Sequence, residues 1–213
     1  MTHSQSTRQR LIDAAIDLFG EQGFKGTTTR ELAEAANANI GSIAYYFGNK
    51  HGLYLASTHY IADALRQRLG LPSDNTTSTE VPTDAHHARQ ILQKRLKQMV
   101  RIVTEDQECR RWMLLIVREQ VQPSEAFDIL YDRAFGYIQQ GISALIARIT
   151  GLPQKSHHVI VETHTLVGQV LFLLVGREVL LRRLGLTHFN DDALANIDAI
   201  ITGHINQLGA ANT

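Results

Sequence analysis

The stretch Asn37–Lys50, NANIGSIAYYFGNK, sets small residues beside aromatic ones at a spacing whose chemistry is contact rather than bond making. Gly41 lets backbone come near a phosphate, Ser42 offers a hydroxyl to a phosphate or a base edge, and Ala44 can touch a thymine methyl. Tyr45 adds a rigid ring whose hydroxyl tip can lie along a sugar-phosphate wall and donate to it. Tyr46 leans by spacing toward the packing side of the same helix. Nowhere does the chain show a Ser-His-Asp or Cys-His arrangement, a Gly-rich phosphate loop or paired metal ligands at diagnostic spacing. An enzyme working in a helical cavity is therefore the weaker of two classes, and no cofactor is expected.

Other chemistry-bearing residues are scattered. His158 and Glu162 share a helical face at i, i+4 with His164 nearby, but no third ligand stands at metal-site spacing, so no metal is expected. His86 and His87 read as solvated, and Cys109, the single cysteine, reads as a small buried residue in a chain without an internal disulfide. Polar groups interrupt apolar helices at Arg118, Glu119, His164, Gln169 and Arg177. With Trp112, Met113, Ile116, Phe127, Tyr131 and Phe135 as walls, they are candidates to line a cavity for a small effector, although core packing is the commoner role for each taken alone.

The elements that must position these groups are all helical. Leu11, Ala14, Ala15, Leu18 and Phe19 recur at helical spacing, predicting a first helix from about Ser6 to Gln22 that Gly23 closes in a left-handed conformation. Thr28 and Glu31 have the spacing of a capping box, starting a second helix at Thr29 that stops near Ala36, with Asn37 in a left-handed turn. Ile40, Ile43 and Phe47 give a two-turn third helix one inward face. Asn49 caps a fourth helix to about Leu69, with Leu53, Ala56, Tyr60, Ala64 and Leu65 inward. The segment 70–84 is rich in Ser, Thr, Pro, Asp and Asn and reads as a surface linker. Helices follow over Ala85–Thr104, Cys109–Gln120, Ser124–Thr150, Gln154–Leu184 and Asp191–Leu208. The expected domains are 1–52, and 53–213 including the linker.

The second and third helices, joined by a three-residue turn, make a helix-turn-helix in which the apolar side locks the third helix and frees Gly41, Ser42, Ala44 and Tyr45 for a groove. The stretch Gly23–Ala56, GFKGTTTRELAEAANANIGSIAYYFGNKHGLYLA, resembles the DNA-binding domain of TetR-type transcriptional regulators at its Gly-Phe, Thr-Thr, aromatic-Phe and Asn-Lys positions. The resemblance implies that Thr28, Ser42, Tyr45 and Lys50 contact phosphate and groove, with Thr29 and Arg30 beside them. Ile40 stands where that family often has a basic residue, and Ala44 where it usually has tyrosine, so no base preference is carried over. The stretches WMLLIVREQVQPSEAFDILY and HFNDD resemble a TetR subgroup with a long C-terminal ligand-binding region.

Charge does not make the case by itself. Lys and Arg total 21 against 21 Asp and Glu, and within residues 1–52 five basic residues are balanced by five acidic ones. No global field draws the chain to nucleic acid or to a membrane surface, so recognition must be local. The N-terminus lacks a secretion signal's apolar core, and the most apolar run, Val170–Val175, is shorter than the roughly 20 residues of a membrane span, so a cytoplasmic chain is expected. The helix after Pro153 is apolar nearly all round at its middle. With the last helix it predicts a two-fold, four-helix dimer interface, as the resemblance also implies, through Val170, Leu171, Leu174, Leu194, Ile197, Ile201 and Ile205.

The expectation is thus an all-α homodimer with an N-terminal three-helix reading domain and a C-terminal helical bundle. It would bind a near-palindromic double-stranded operator and be released by a small molecule. An activator or a protein-binding adaptor on the same scaffold stays open as the alternative.

Overall fold

The structure is a computed structural model that describes residues 6–71 and 82–209; most of the expected linker, 72–81, lies outside the described residues. The described residues are helical without a strand. The helices are α1 (Thr7–Gly26), α2 (Thr29–Ala35), α3 (Gly41–Phe47), α4 (Lys50–Leu69), α5 (Ala85–Glu105), α6 (Gln107–Val121) and α7 (Glu125–Leu130). A π-helical turn, Tyr131–Phe135, leads into α8 (Gly136–Thr150), followed by α9 (His157–Val175), α10 (Arg177–Leu184) and α11 (Asp191–Gln207). The chain divides into two compact units: residues 1–68 with 107–135, and residues 69–106 with 136–213.

In the first unit, α1 begins at the Ser6 cap and is interrupted at Gly23, whose φ of 76° provides the expected stop before a last turn to Gly26. Its buried stripe is Leu11, Ile12, Ala15, Ile16 and Phe19. Ala14 and Leu18, expected inward, are only half-buried. The stripe is turned because α6 packs closely at Gly20, where a Cβ would meet Leu114 Cβ at 3.2 Å. Arg118 of α6 donates to Gly20 O (2.7 Å) and Glu21 O (2.6 Å), the carbonyls just ahead of the Gly23 interruption in α1. Arg111 holds Asp17 with two hydrogen bonds at 3.0 and 2.8 Å.

The inward face of α4 is Leu53, Tyr54, Ser57, Thr58, Ile61, Ala62 and Leu65. Ala56, Tyr60 and Ala64, expected inward, are half-buried instead. Two hydroxyls can sit on that face because each donates to the carbonyl four residues back, Ser57 to Leu53 O (2.9 Å) and Thr58 to Tyr54 O (3.0 Å). The Tyr54 hydroxyl donates to Glu119, and burial together with that carboxylate pushes the phenol above its ordinary value. Glu119 also accepts from Ser124 N at 3.0 Å, so this buried acid joins α4, α6 and the start of α7.

The second unit is built on α5, which buries Leu92, Leu96, Met99, Val100 and Val103. The single helix expected over Ser124–Thr150 is broken by the π turn, and that over Gln154–Leu184 is broken at Gly176, whose backbone is non-helical. A Cβ at Gly176 would lie 2.8 Å from the Phe172 ring, so glycine lets the ring fold over the break.

The apolar residues of α9 and α11 divide differently from the expectation. Val170, Leu174, Leu194, Ile201 and Ile205, assigned to a dimer interface, are buried within their own unit, while Ile197 is half-buried. Of that set Leu171 alone is well exposed, and it sits with Ile160, Val161, Phe172 and Val175 on the outer face of α9, with Ile200 outward on α11. Periodicity finds an apolar face but cannot say whether the same chain or another covers it. Helix α9 is 19 residues long and its most apolar 18-residue window has mean hydropathy 1.6 with 33% of it buried, long and apolar enough by length and composition to cross a bilayer. The short run Val170–Val175 understated this.

Candidate nucleic-acid interface

The turn between α2 and α3 is tightly determined. The capping box forms as its spacing predicts: Thr28 N donates to Glu31 Oε2 (2.8 Å) and Glu31 N donates to Thr28 Oγ1 (3.2 Å). Hydrogen bonds from Thr28 hold the Glu31 carboxyl below its ordinary value. At the other end of α2, Asn37 takes the left-handed conformation (φ 47°), and Ala38 N returns to Ala33 O at 2.9 Å. Arg10 reaches over from α1 and donates to Ala36 O (2.9 Å) and Asn37 O (3.3 Å), fastening the turn to the first helix.

Helix α3 starts from Asn39, whose Oδ1 accepts from Gly41 N at 2.8 Å. A Cβ at Gly41 would come within 3.2 Å of that same oxygen, so glycine keeps the cap in place. Ile43 is buried and Phe47 half-buried, so the back of the helix is held. Gly41, Ala44 and Tyr45 are exposed, Tyr45 at 82%, and Ser42 is half-exposed. Tyr45 and Tyr46 meet edge to face at 4.8 Å, and Tyr46, expected to pack, is 42% exposed. Ile40, expected to pin the helix from behind, is 53% exposed. It has helical φ/ψ just ahead of Gly41, which turns its side chain to the outer face with Ala44.

The cations expected near phosphate are engaged within the protein. Lys50 Nζ donates to Phe24 O and Thr27 O at 2.8 Å each and lies 4.3 Å from the Phe24 ring centre. Arg30 pairs with Glu34 at 2.8 Å on an exposed face, and the Arg8 guanidinium sits 5.4 Å from the Phe47 ring centre. Thr28 uses its hydroxyl in the cap, while Thr29 is half-buried beside it. Two positioning residues escaped the sequence reading. Arg10 fastens the turn from α1, and at Gly52 a Cβ would lie 2.0 Å from Phe47 O, so α4 crosses the end of α3 at a distance only glycine permits. The Gly48-Asn49 turn beside it was the available signal.

The residues expected to meet an effector fall in both units. Trp112 is fully buried in the first unit, with its indole N–H unpartnered, Tyr60 edge-on at 6.3 Å and the Arg68 guanidinium 4.6 Å from the ring centre. Met113, Ile116 and Phe127 are half-buried there, and exposed Tyr131 stacks on Phe127 at 6.2 Å. His164 and Gln169 belong to the second unit, where Gln169 Oε1 is 2.8 Å from His204 Nδ1. Arg177 donates to Thr104 O at 3.1 Å and covers the Phe189 ring. The polar interruptions Arg118, Glu119 and Arg177 thus satisfy backbone and buried groups, a role that sequence could not separate from cavity lining. A groove of about 280 Å³ between α5 and α11 includes Gln93, Lys97, Asp198 and Thr202 but none of the expected effector residues. Among the described residues no group of three or more His, Cys, Asp or Glu is placed to hold a metal.

Comparison with known proteins bears on this geometry. Residues 11–57 match the profile of bacterial regulatory proteins of the tetR family. Residues 88–211 match the C-terminal domain of the HTH-type transcriptional dual regulator CecR. The chain is 30% identical over 203 residues to the dual regulator CecR of Shigella flexneri, covering 94% of this chain and 90% of that protein. It is 25% identical over 175 residues to the transcriptional repressor AcnR of Corynebacterium glutamicum, 81% of each chain. Among solved structures, a TetR-like transcriptional regulator from Rhodococcus sp. RHA1 superposes with a TM-score of 0.63 at 18% identity over the whole of both chains. AibR, solved with isovaleryl coenzyme A and operator DNA, gives 0.63 at 16% identity, over 93% of this chain and 97% of its own.

Proposed function

Because the chain belongs to the TetR family of bacterial transcriptional regulators, in the group that carries the CecR C-terminal domain, we propose that it is a ligand-responsive repressor acting in the cytoplasm. It binds a near-palindromic operator as a homodimer and is a binding protein rather than an enzyme. The observation that carries the reading is the outer face of α3: Gly41, Ala44 and Tyr45 stand exposed on a helix whose back is held by buried Ile43 and whose start is fixed by the Asn39 cap. A helix so braced enters a major groove without rearrangement, with Thr28, Thr29, Arg30 and Ser42 at its flanks and Lys50 bracing the turn behind.

One two-turn helix reads few bases, so two copies about 34–36 Å apart on successive major grooves supply the specificity. The reading domain is residues 1–52, and residues 53–213 carry dimerisation and the effector site. For that site Trp112, Met113, Ile116, Phe127 and Tyr131 are the proposed walls. An effector acts by binding best to the state whose reading heads misfit the operator, with a coupling of about 1–3 kcal/mol. Selection of bound fragments from random DNA with the full chain tests binding, palindromy and half-site spacing together; no enriched sequence would overturn the reading. The relative named a dual regulator favours a second reading, activation at some promoters, which reporter expression with and without the gene separates from repression.

A further inference from the structure

Near its start the outer face of α3 carries little side chain able to pair with a base edge, the hydroxyl of the exposed Tyr45 standing a turn further on. Asn39 has its amide oxygen on the Gly41 N–H, Gly41 has no side chain, and Ser42 is half-buried at the flank. What stands outermost at the start of the helix is apolar: Ile40, 53% exposed, and Ala44, exposed one turn later. Residues four apart on a helix lie on one face with Cβ atoms roughly 5–6 Å apart. Successive bases on a strand rise about 3.4 Å, so the two side chains meet base pairs one or two steps apart. The apolar feature of the major groove is the thymine C5-methyl, and cytosine offers none.

We propose that this chain selects its operator through two thymine methyls in each half-site, one against Ile40 and one against Ala44. Discrimination at these pairs then comes from apolar contact instead of bidentate hydrogen bonding. A 5-methylcytosine places its methyl where thymine does, so methylation of cytosine at these positions supports binding where unmodified cytosine does not. The inference rests on the regulator reading above and names the chemistry of its readout.

The test takes an operator recovered by selection with the full-length protein and replaces each thymine in turn, in both half-sites, by deoxyuridine, which lacks only the methyl. Removing one buried methyl weakens a site by about fourfold, hence about fifteenfold when both half-sites change. Two positions per half-site are expected to show this loss, and a 5-methylcytosine·guanine pair there is expected to outbind an unmodified cytosine·guanine pair. Ile40→Ser should abolish sensitivity to one of the two methyls and keep the other, with Ala44→Ser doing the converse. Both side chains are exposed, so thermal melting should match the parent. Equal affinity for thymine and deoxyuridine at every position, or losses unaltered by either substitution, overturns the methyl readout while leaving operator binding intact. Failure to recover any operator overturns the regulator reading and this inference with it.

Discussion

Single residues around the reading helix divide into those that face outward and those that hold it still. Tyr45, exposed and in contact with Tyr46, belongs to the first group. Tyr45→Ala is expected to weaken operator binding about tenfold, one contact's worth of roughly 1.4 kcal/mol, with helicity and dimerisation kept; gel shifts beside circular dichroism check both halves. Lys50 belongs to the second group. Its ammonium serves two carbonyls at the α1–α2 turn, and charge-assisted hydrogen bonds of this kind are worth about 1.5–3 kcal/mol. Lys50→Ala should therefore lower the melting temperature by about 4–8 °C and change the salt dependence of operator binding by much less than one unit. A slope shallower by about one would show that the ammonium leaves those carbonyls for a phosphate. Glu31 sets a pH dependence. Its carboxyl is held below its ordinary value by Thr28, so the cap's contribution is complete above the unfolded carboxylate range of about 4.3 and is lost as pH falls through the lower folded value. Melting curves between pH 6 and about pH 2.5 should show this loss, and Glu31→Gln should flatten it.

At the level of elements, the sequence announces its local punctuation and hides its tertiary crossings. Gly23, the Thr28–Glu31 box and the left-handed Asn37 are set by residues within a few positions of one another and form as their spacing predicts, and the Asn39 cap on Gly41 N is just as local. The stripes of α1 and α4 come out turned because close approach at Gly20 and the Tyr54–Glu119 contact involve residues far apart in the chain. The breaks at the π turn and Gly176 lie inside helically periodic sequence, where apolar spacing continues through the interruption. Ile40 was misplaced because a residue beside a helix start shares the apolar period without sharing the buried face. Gly52 yields the sharpest prediction at this scale. Its missing side chain lets α4 start against Phe47 O, so Gly52→Ala must move α3 or α4. A loss of about 1–3 kcal/mol is expected from overpacking, with operator affinity falling further than Tyr45→Ala causes because the whole reading face shifts. Denaturant unfolding and gel shifts on the same preparation decide it; wild-type values in both would show that the junction is not rigid.

For the whole molecule the decisive question is what covers α9. Ile160, Val161, Leu171, Phe172 and Val175 leave an apolar face open, and Phe172 and Val161 are 69% and 62% exposed. A regulator that reads a palindrome needs a two-fold partner, and an isologous contact of this face with its own copy meets that need while covering the surface. The burial pattern makes the idea testable by contrast within one helix. Val161→Asp or Phe172→Asp places a charge on the open face, harmless to the fold of one chain and repulsive across a two-fold axis. Either should yield a folded monomer in sedimentation whose operator affinity falls about a hundredfold or more, because the second half-site no longer binds as part of the same molecule. Leu174→Asp, two residues beyond Phe172 but buried in the chain's own core, should instead lose helicity altogether, since an unpaired charge cannot be held there. If the α9 surface variants stayed dimeric at micromolar concentration, another face would join the copies. If Leu174→Asp gave a well-folded monomer, Leu174 would belong to the interface after all, as helical periodicity first suggested.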